Sequence, residues 1–341
     1  MISLADIPRG RAGGWITPQM LLLAAIMGTA PLWLGPVGLY SYLGVEITIW
    51  IIYAIGFNVL FGYAGLHSFG HGAYFGVGAY AFGLFQQNVA VSLWGGLGTS
   101  VLAAALAGLI VGAMVCHRRG IYFALMTIAF GQIFWFSAIK LHPITGGEDG
   151  LLNIPRPPAD FGVVSFDLSS NTAFYWFVFA SLALVVVVVW RIVHSPFGRI
   201  LQAIRQNEAR ARFVGYEVWR FKLAAFVLST SIAGFAGGLF AMAQQSAYPD
   251  VMGLHQSGLI VMMTLIGGGL VSFWGPVLGV ALYFVARDVL GAITETWLLW
   301  YGLMFVIMVM VRPEGLAGAI HIAKVRLLRI AKPAPQGAPA E

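Results

Sequence analysis

The chain has 341 residues, of which 59% are hydrophobic and only 9% are charged. Soluble domains carry about 25% charged residues, so this composition excludes an ordinary water-soluble protein and indicates a membrane protein. The net charge of +6 is also typical of nucleic-acid binders, and the positions of the basic residues decide between these two partners. The single cysteine, Cys116, excludes an internal disulfide.

Ten apolar stretches along the chain predict membrane spans, each of which requires about 20 residues. They are residues 18–39, 44–62, 67–86, 93–115, 120–140, 172–192, 222–245, 255–272, 275–291 and 295–311. The third and ninth are short or interrupted by glycine, so a re-entrant path stays open for both. The sequence therefore predicts an all-α polytopic membrane protein. Its transmembrane domain covers 18–311, after an N-terminal segment 1–17 and before a basic tail 312–341 whose end we expect to be disordered.

The basic residues gather on one side of the predicted membrane domain. Only Lys140, Arg156 and Arg287 of the 19 lysines and arginines fall on the side opposite the N-terminus. Cytoplasmic loops of membrane proteins are enriched in these residues. Both termini and the loop 193–221 are therefore predicted to be cytoplasmic, and the loop 141–171 periplasmic. The position of the basic residues therefore indicates that the positive net charge serves contact with a lipid bilayer and not with nucleic acid.

A glycine-rich stretch, GLHSFGHGAYFGVGAYAFG at 65–83, contains two histidines four residues apart, His67 and His71. Zinc requires three or four ligands, and no third ligand is near in sequence. A second pattern places small residues every four positions, which would let another helix come close. Its members are Ala64, Ser68, Gly72 and Gly76. Close helix packing is the favoured interpretation, and a glycine-interrupted span that offers backbone groups to a polar solute is compatible with it.

A second glycine cluster, GGGLVSFWGPVLG at 267–279, shares Gly-Leu-x-Ser-Phe with the first. Each cluster falls at a predicted cytoplasmic junction between two spans, which is consistent with an internal duplication. Residues of both clusters are predicted to serve helix packing or to line the translocation path. They are Ser68, Gly70, His71, Gly72, Gly76, Gly267, Gly268 and Gly269.

The cytoplasmic loop contains a predicted amphipathic helix over 195–215. Ser195 and Pro196 are typical of a helix start, and Gly215 is typical of a helix end. Apolar residues recur between them at helical spacing, namely Phe197, Ile200, Leu201, Ile204 and Ala211. Two interpretations stay open: a connector held by anionic headgroups, and a docking helix for a cytoplasmic partner protein.

The sequence also limits the energy source for transport. Ion-coupled carriers usually have ionisable residues within their spans, whereas the acids here fall in loops or near span ends. Backbone carbonyls can bind Na⁺, so an ion-coupled carrier stays an alternative.

None of the four lysines follows a glycine, so a phosphate-binding loop is absent. ATP-driven transport would therefore need an ATPase on another chain, which favours the docking interpretation of 195–215. No nucleophile elbow is present either, and a metal-dependent membrane enzyme is the least favoured alternative.

Five motifs occur in an order that resembles the permeases of branched-chain amino acid ABC transporters. They are GYAGLHSFGHGAYFGVGAY at 62–80, TGGEDGL at 145–151, the run from 203 to 239, the cluster at 267–279 and VRPEGLAG at 311–318. The resemblance covers about residues 45–320 and is strongest to the longer of the two permeases in leucine/isoleucine/valine systems.

This resemblance implies an importer subunit of the ten-helix class in a bacterial inner membrane. The implied partners are a second homologous permease, two ABC ATPase subunits, a periplasmic solute-binding protein and a small amino-acid substrate. It implies no enzyme activity and no cofactor. Permeases for urea or short-chain amides share these motifs and are the alternative. The resemblance also implies that residues of 203–215 couple to the ATPase, namely Arg205, Asn207, Glu208, Ala209, Ala211 and Gly215.

Overall fold

A computed structural model describes residues 18–33, 41–160, 165–270, 272–311 and 315–318. The described α-helices are α1 Pro18–Trp33, α2 Ser41–Asn58, α3 Gly72–Asn88, α4 Leu93–Val115, α5 Gly120–Lys140, α6 His142–Thr145, α7 Asn171–His194, α8 Pro196–Gln206, α9 Glu208–Phe213, α10 Val218–Gln244, α11 Leu254–Gly267, α12 Gly275–Ile293 and α13 Trp297–Val311. A π-helical turn, Val59–Tyr63, extends α2, and a 3₁₀ turn, Pro249–Met252, precedes α11. Strands β1 Ala159–Asp160 and β2 Ser165–Phe166 form one small antiparallel pair.

Each predicted span contains an apolar helix, but the helices differ in length. Six of the described helices are long and apolar enough to cross a membrane, with α2 and its π-turn counted together. Helices α1, α3, α11 and α13 are shorter. The chain is thus a polytopic helical membrane protein, while the count of ten spans and the sidedness of the termini stay predictions. The segment 1–17 and most of the tail 312–341 lie outside the described residues.

Helix α10 lies at the centre of the bundle, against α2, α3 and α4. Glycines bring the backbones of α3 and α10 together: a Cβ on Gly78 would lie 2.2 Å from the carbonyl oxygen of Gly234. A Cβ on Gly237 would lie 1.9 Å from the carbonyl oxygen of Phe75. Without a strong hydrophobic drive between helices in lipid, such close backbone contact is a main source of helix association.

The third predicted span differs from the helix that is observed. Helix α3 begins at Gly72, and residues 64–71 form no regular helix. Ala64 and Ser68 therefore do not share a helical stripe with Gly72 and Gly76, and that part of the prediction is wrong. The irregular backbone is tolerated because side chains of other helices bind its N–H groups. For example, the Thr127 hydroxyl accepts a hydrogen bond from the Phe69 N–H at 3.2 Å.

The predicted single helix over 195–215 is two helices. Helix α8 begins at Pro196 as expected, but the segment breaks at Asn207, where α9 starts. The Asn207 side-chain oxygen accepts a hydrogen bond from the Arg210 N–H at 2.9 Å and caps α9. The apolar periodicity continues across the break, so it could not reveal the cap. Gly215 has a φ of +97° and turns the chain after α9, where the sequence placed the end of the segment.

The loop 141–171 is attached to the far end of α10. Arg156 donates through Nε to the Met242 carbonyl at 2.8 Å and through Nη2 to the Ala243 carbonyl at 2.7 Å. The last carbonyls of a helix lack partners within the helix, so this guanidinium satisfies the end of α10. A short backbone bridge between Leu151 and Ala247 adds to the attachment.

Candidate functional site

The coupling segment, residues 195–215, is connected to both glycine clusters through Arg205. We name residues 62–72 the first junction and residues 267–275 the second junction. The Arg205 Nη1 donates to the carbonyl of Gly62 in the first junction and to the carbonyl of Leu270, at 2.9 Å, in the second. One guanidinium on α8 therefore joins the ends of α2 and α11.

The first junction has a backbone shape that fits Arg205. Gly65 has a φ of +70°, a conformation that favours glycine. A Cβ there would lie 2.8 Å from Cγ of Arg205. Gly65 was not among the predicted site residues, although its place in the glycine-rich motif was a usable signal. Burial lowers the pKa of the Arg205 guanidinium from its ordinary value, but arginine stays charged because that ordinary value is so high.

A second connection runs from α9 through Glu208. Its carboxylate binds Lys222 Nζ at 2.7 Å, Arg119 Nε at 2.9 Å and Arg212 Nη2 at 3.0 Å. The Lys222 side chain on α10 is only 4% exposed, whereas both arginines are about half exposed. A buried ammonium needs a bonded anion, and Glu208 supplies that anion to Lys222 at the base of α10. The carboxylate thereby ties α9 to α10 and to the start of α5.

The coupling segment has an inner and an outer face. Ala211 is buried beside Ile204 and Val218, whereas Ala209 and Gly215 are exposed. Sequence reasoning missed the most exposed apolar residues of the segment, Phe213 at 92% and Val214 at 70% exposure. Both lie beyond the break at Asn207, and neither belongs to the apolar stripe that the sequence predicts.

The two histidines of the first junction lie in different surroundings. His67 is exposed, and its ring contacts the Phe61 ring edge-on. His71 is completely buried, with Nε2 3.0 Å from the Ser229 hydroxyl. That hydroxyl donates to the Gly56 carbonyl at 2.8 Å, so it accepts from the Nε2–H of His71. No group of three or more metal-ligating side chains occurs among the described residues.

Three predicted glycines in or just after the first junction pack closely against distant segments. A Cβ on Gly70 would lie 1.9 Å from the Thr127 carbonyl oxygen, and one on Gly72 would lie 2.8 Å from the Ser257 hydroxyl. A Cβ on Gly76 would meet the flexible side chain of Met252 at 2.2 Å. The Thr127 carbonyl and the Ser257 hydroxyl belong to helices α5 and α11, so a side chain at Gly70 or Gly72 could not be accommodated by a small local shift.

The two junctions meet around the side chain of Asn58. A Cβ on Gly62 would lie 2.3 Å, and one on Gly269 would lie 2.6 Å, from the Asn58 side-chain oxygen. Gly268 has a φ of +87°, and a Cβ on Gly267 would lie 1.9 Å from the Gly275 carbonyl oxygen. Both amide atoms of Asn58 are buried and lack a hydrogen-bond partner among the described residues, and so does the Ser68 hydroxyl. The structure thus brings the two clusters together at one polar centre next to Arg205.

Apolar helices of spanning length, buried glycine junctions and a charged segment between spans define a polytopic membrane protein of the permease class. Residues 39–311 match the family described as "Branched-chain amino acid transport system / permease component". The chain belongs to this family of branched-chain amino acid ABC transporter permeases.

Two bacterial relatives are similar over most of the chain. The high-affinity branched-chain amino acid transport system permease proteins LivM of Salmonella typhimurium and Escherichia coli are each 31% identical over 325 residues, which cover 89% of this chain and 76% of theirs. A probable branched-chain amino acid transport permease protein LivM of Methanocaldococcus jannaschii is 22% identical over 82% of this chain and 93% of its own. No solved structure matches the chain.

Proposed function

We propose that the chain is one membrane subunit of an ATP-driven importer for branched-chain amino acids. It works with a second, homologous permease and two ABC ATPase subunits, and a periplasmic solute-binding protein delivers the substrate. The importer lies in a bacterial inner membrane with both termini of this chain in the cytoplasm. The observation that carries the proposal is the Arg205 connection, because it joins a segment outside the predicted spans to the ends of two helices within them.

The outer face of the coupling segment supports docking of an ATPase. Phe213 and Val214 are large apolar residues that are nearly free of protein contact, and exposed apolar groups of this size favour a protein partner. They lie beside the exposed arginines of α9, so the surface combines an apolar centre with a basic rim. The ATPase would therefore bind the tip of the segment and move α8 and α9 together.

Two paths carry this movement into the membrane. Arg205 would pull on the carbonyls of Gly62 and Leu270 and so on α2 and α11. Glu208 would move α10 through its ion pair with Lys222. Since α10 packs on α2, α3 and α4, both paths reach the same helices, and the substrate path opens on one side as it closes on the other. No covalent chemistry is needed in this chain.

The transmission step is tested with Arg205→Ala in the assembled complex in proteoliposomes. The variant loses charge-assisted hydrogen bonds, each of which contributes about 1.5–3 kcal/mol, so ATP-driven leucine uptake should fall about tenfold or more. ATPase subunits should still co-purify. Arg199→Ala is the matched control, because Arg199 lies on the same helix and is exposed; its uptake should equal that of the wild type. Equal uptake by both variants would remove Arg205 from coupling.

The docking step is tested separately with Phe213→Asp. A charge at the apolar tip should reduce recovery of the ATPase subunits in a detergent pull-down. The control is Leu152→Asp, an equally drastic change at a residue that is 55% exposed in the loop 141–171, and it should leave recovery unchanged. Leucine uptake that collapses with an uncoupler while ATP is clamped would instead favour an ion-coupled carrier.

A further inference from the structure

A pocket lies in the half of the bundle away from Arg205. The space that no atom fills, open solvent at its mouth included, is about 390 Å³, and its walls come from α2, α3, α10, the 3₁₀ turn and the start of α11. Its lining includes Glu46, Trp50, Tyr53, Phe75, Phe240 and Gln256. The sequence places Glu46 near the predicted periplasmic end of its span, so the pocket lies toward the side from which substrate would arrive.

Three lining residues carry buried polar atoms without a partner. The Trp50 indole nitrogen, the Tyr53 hydroxyl and the Gln256 side-chain oxygen have no hydrogen-bond partner among the described residues. Trp50 is 7% and Tyr53 is 1% exposed. Most buried polar groups in proteins are satisfied, so three orphan atoms around one pocket indicate that something polar binds there.

The chemistry of the lining limits what that ligand is. An indole N–H only donates, so Trp50 requires an acceptor such as a carboxylate. Glu46 and the Gln256 oxygen accept, which suits an ammonium group. Glu46 already binds Arg287 at 3.1 and 3.2 Å, but a carboxylate has about four acceptor sites, so it can take a further donor.

Apart from Gln244 and Tyr248, the remaining wall is apolar. Phe75 and Phe240 are nearly fully buried, and their rings lie 5.3 Å apart between centroids. Val251, which is also buried, lies beside them in the lining. This wall fits an aliphatic side chain. Urea and short amides have no such group to place against it.

We propose that this pocket is a binding site of the permease itself for a small aliphatic α-amino acid. Glu46 and Gln256 bind the ammonium group, Trp50 and Tyr53 donate to the carboxylate, and the side chain lies against Phe75 and Phe240. The proposal rests on the proposed function and deepens it, because it gives this chain a selectivity of its own, independent of the solute-binding protein.

Removing the orphan donors tests the site. Tyr53→Phe deletes one hydroxyl that has no partner among the described residues, so its thermal unfolding midpoint should equal or exceed that of the wild type. Trp50→Phe removes the indole nitrogen together with part of a ring that packs against Tyr53, Phe75 and Phe284, so this variant is judged by its leucine binding per folded complex. The dissociation constant of radiolabelled leucine, measured by equilibrium dialysis on the assembled complex without solute-binding protein, should rise about tenfold in each variant, as expected for a lost hydrogen bond to a charged group.

Tyr301→Phe is the matched control. Tyr301 is fully buried on α13, its hydroxyl also lacks a partner among the described residues, and it does not line the pocket. Its removal should leave leucine binding unchanged. Leucinamide, without the carboxylate, and 4-methylpentanoate, without the ammonium group, should each compete at least tenfold more weakly than leucine.

Several outcomes would overturn the site. Equal leucine binding in Tyr53→Phe, Trp50→Phe and Tyr301→Phe would show that the orphan atoms bind only water. Competition by urea as strong as by leucine would contradict the ligand class. Absence of saturable leucine binding in a wild-type complex that performs ATP-driven leucine uptake would refute the site and leave the proposed function standing. Absence of that uptake would refute the proposed function and this inference together.

Discussion

The two glycine junctions share a sequence pattern and a place in the bundle. Each follows the end of a buried helix, contains a glycine with positive φ, Gly65 or Gly268, and leads into a helix that begins with glycine. Each also gives one backbone carbonyl to Arg205. The shared Gly-Leu-x-Ser-Phe sequence thus marks both places where the coupling segment attaches, although Gly65 aligns with Gly269 and the two carbonyls that Arg205 binds are not at aligned positions.

The junctions differ in where their backbone hydrogen bonds go. The first junction depends on other helices: Thr127 of α5 binds the Phe69 N–H, and Ser257 of α11 binds the Gly72 N–H at 2.9 Å. The second closes on itself, because the Ser272 hydroxyl accepts from the Trp274 N–H at 3.2 Å. One sequence pattern can therefore form either a joint between helices or a local turn. At equal stability, changes in the first junction should therefore disturb transport more than changes in the second.

The largest effects are expected where a new Cβ meets backbone. Gly70→Ala and Gly267→Ala each place the Cβ 1.9 Å from a carbonyl oxygen, of Thr127 and of Gly275 respectively. Overpacking costs about 1–3 kcal/mol and sometimes more, so both variants should lower the unfolding midpoint of the purified complex. Gly70→Ala should in addition abolish leucine uptake by the complex that remains folded, because it forces α5 away from the first junction.

The control for both is Gly258→Ala. Gly258 lies in α11, and a Cβ there meets no atom within 4 Å. Alanine inside a helix is favoured over glycine by about 0.5–1 kcal/mol, so this variant should unfold at an equal or higher temperature. If Gly70→Ala and Gly267→Ala lost equal fractions of uptake per folded complex, the functional difference between the junctions would be disproved.

The next effect concerns the bond between α11 and the first junction. Ser257 is 1% exposed, and Ser257→Ala would leave the Gly72 N–H buried without an acceptor. Such a loss costs about 1–3 kcal/mol. We expect a lower unfolding midpoint and faster hydrogen exchange at the start of α3. Unchanged exchange there, together with an unchanged midpoint, would show that α11 does not hold the first junction.

Sequence reasoning located the apolar helices and both glycine clusters but not the contacts between distant segments. By sequence, Arg205 and Lys222 are cytoplasmic charges, and the family resemblance makes Arg205 an ATPase-coupling residue. Neither observation reveals that Arg205 binds the carbonyls of Gly62 and Leu270 or that Lys222 binds the carboxylate of Glu208. Periodicity reports which face of a helix is buried and gives no information about a partner far away in sequence. It also assumes a continuous helix, which fails at the irregular stretch 64–71 because hydrogen bonds from other helices stabilise that backbone.

Ser68 and Ser272 occupy aligned positions in the two junctions, but replacing each with alanine should affect stability differently. Ser272→Ala removes the acceptor of the Trp274 N–H and should cost about 0.5–1.5 kcal/mol. Ser68→Ala removes a fully buried hydroxyl that has no partner among the described residues, so it should leave stability equal or increase it. Thermal unfolding of both variants checks this prediction. If Ser68→Ala kept full stability but lost leucine uptake, Ser68 would be supported as part of the translocation path. If both variants were equally destabilised, the expected difference in stability between the two serines would be disproved.

The smallest effect is expected for His67→Gln in the first junction. His67 is exposed, and its one ring neighbour in the described structure is Phe61, so the change in stability should stay within about 0.5 kcal/mol. Leucine uptake should match the wild type with and without a chelator, because His71 is buried against Ser229 and uses Nε2 there. Gly72→Leu is the comparison, since even a Cβ at Gly72 lies 2.8 Å from the Ser257 hydroxyl, and it should impair both assembly and uptake. His67→Gln could instead reduce leucine uptake more than Gly72→Leu does, and a chelator could cause the same loss in the wild type. That result would show that the histidine pair binds a metal and that the first junction serves mainly as a ligand site.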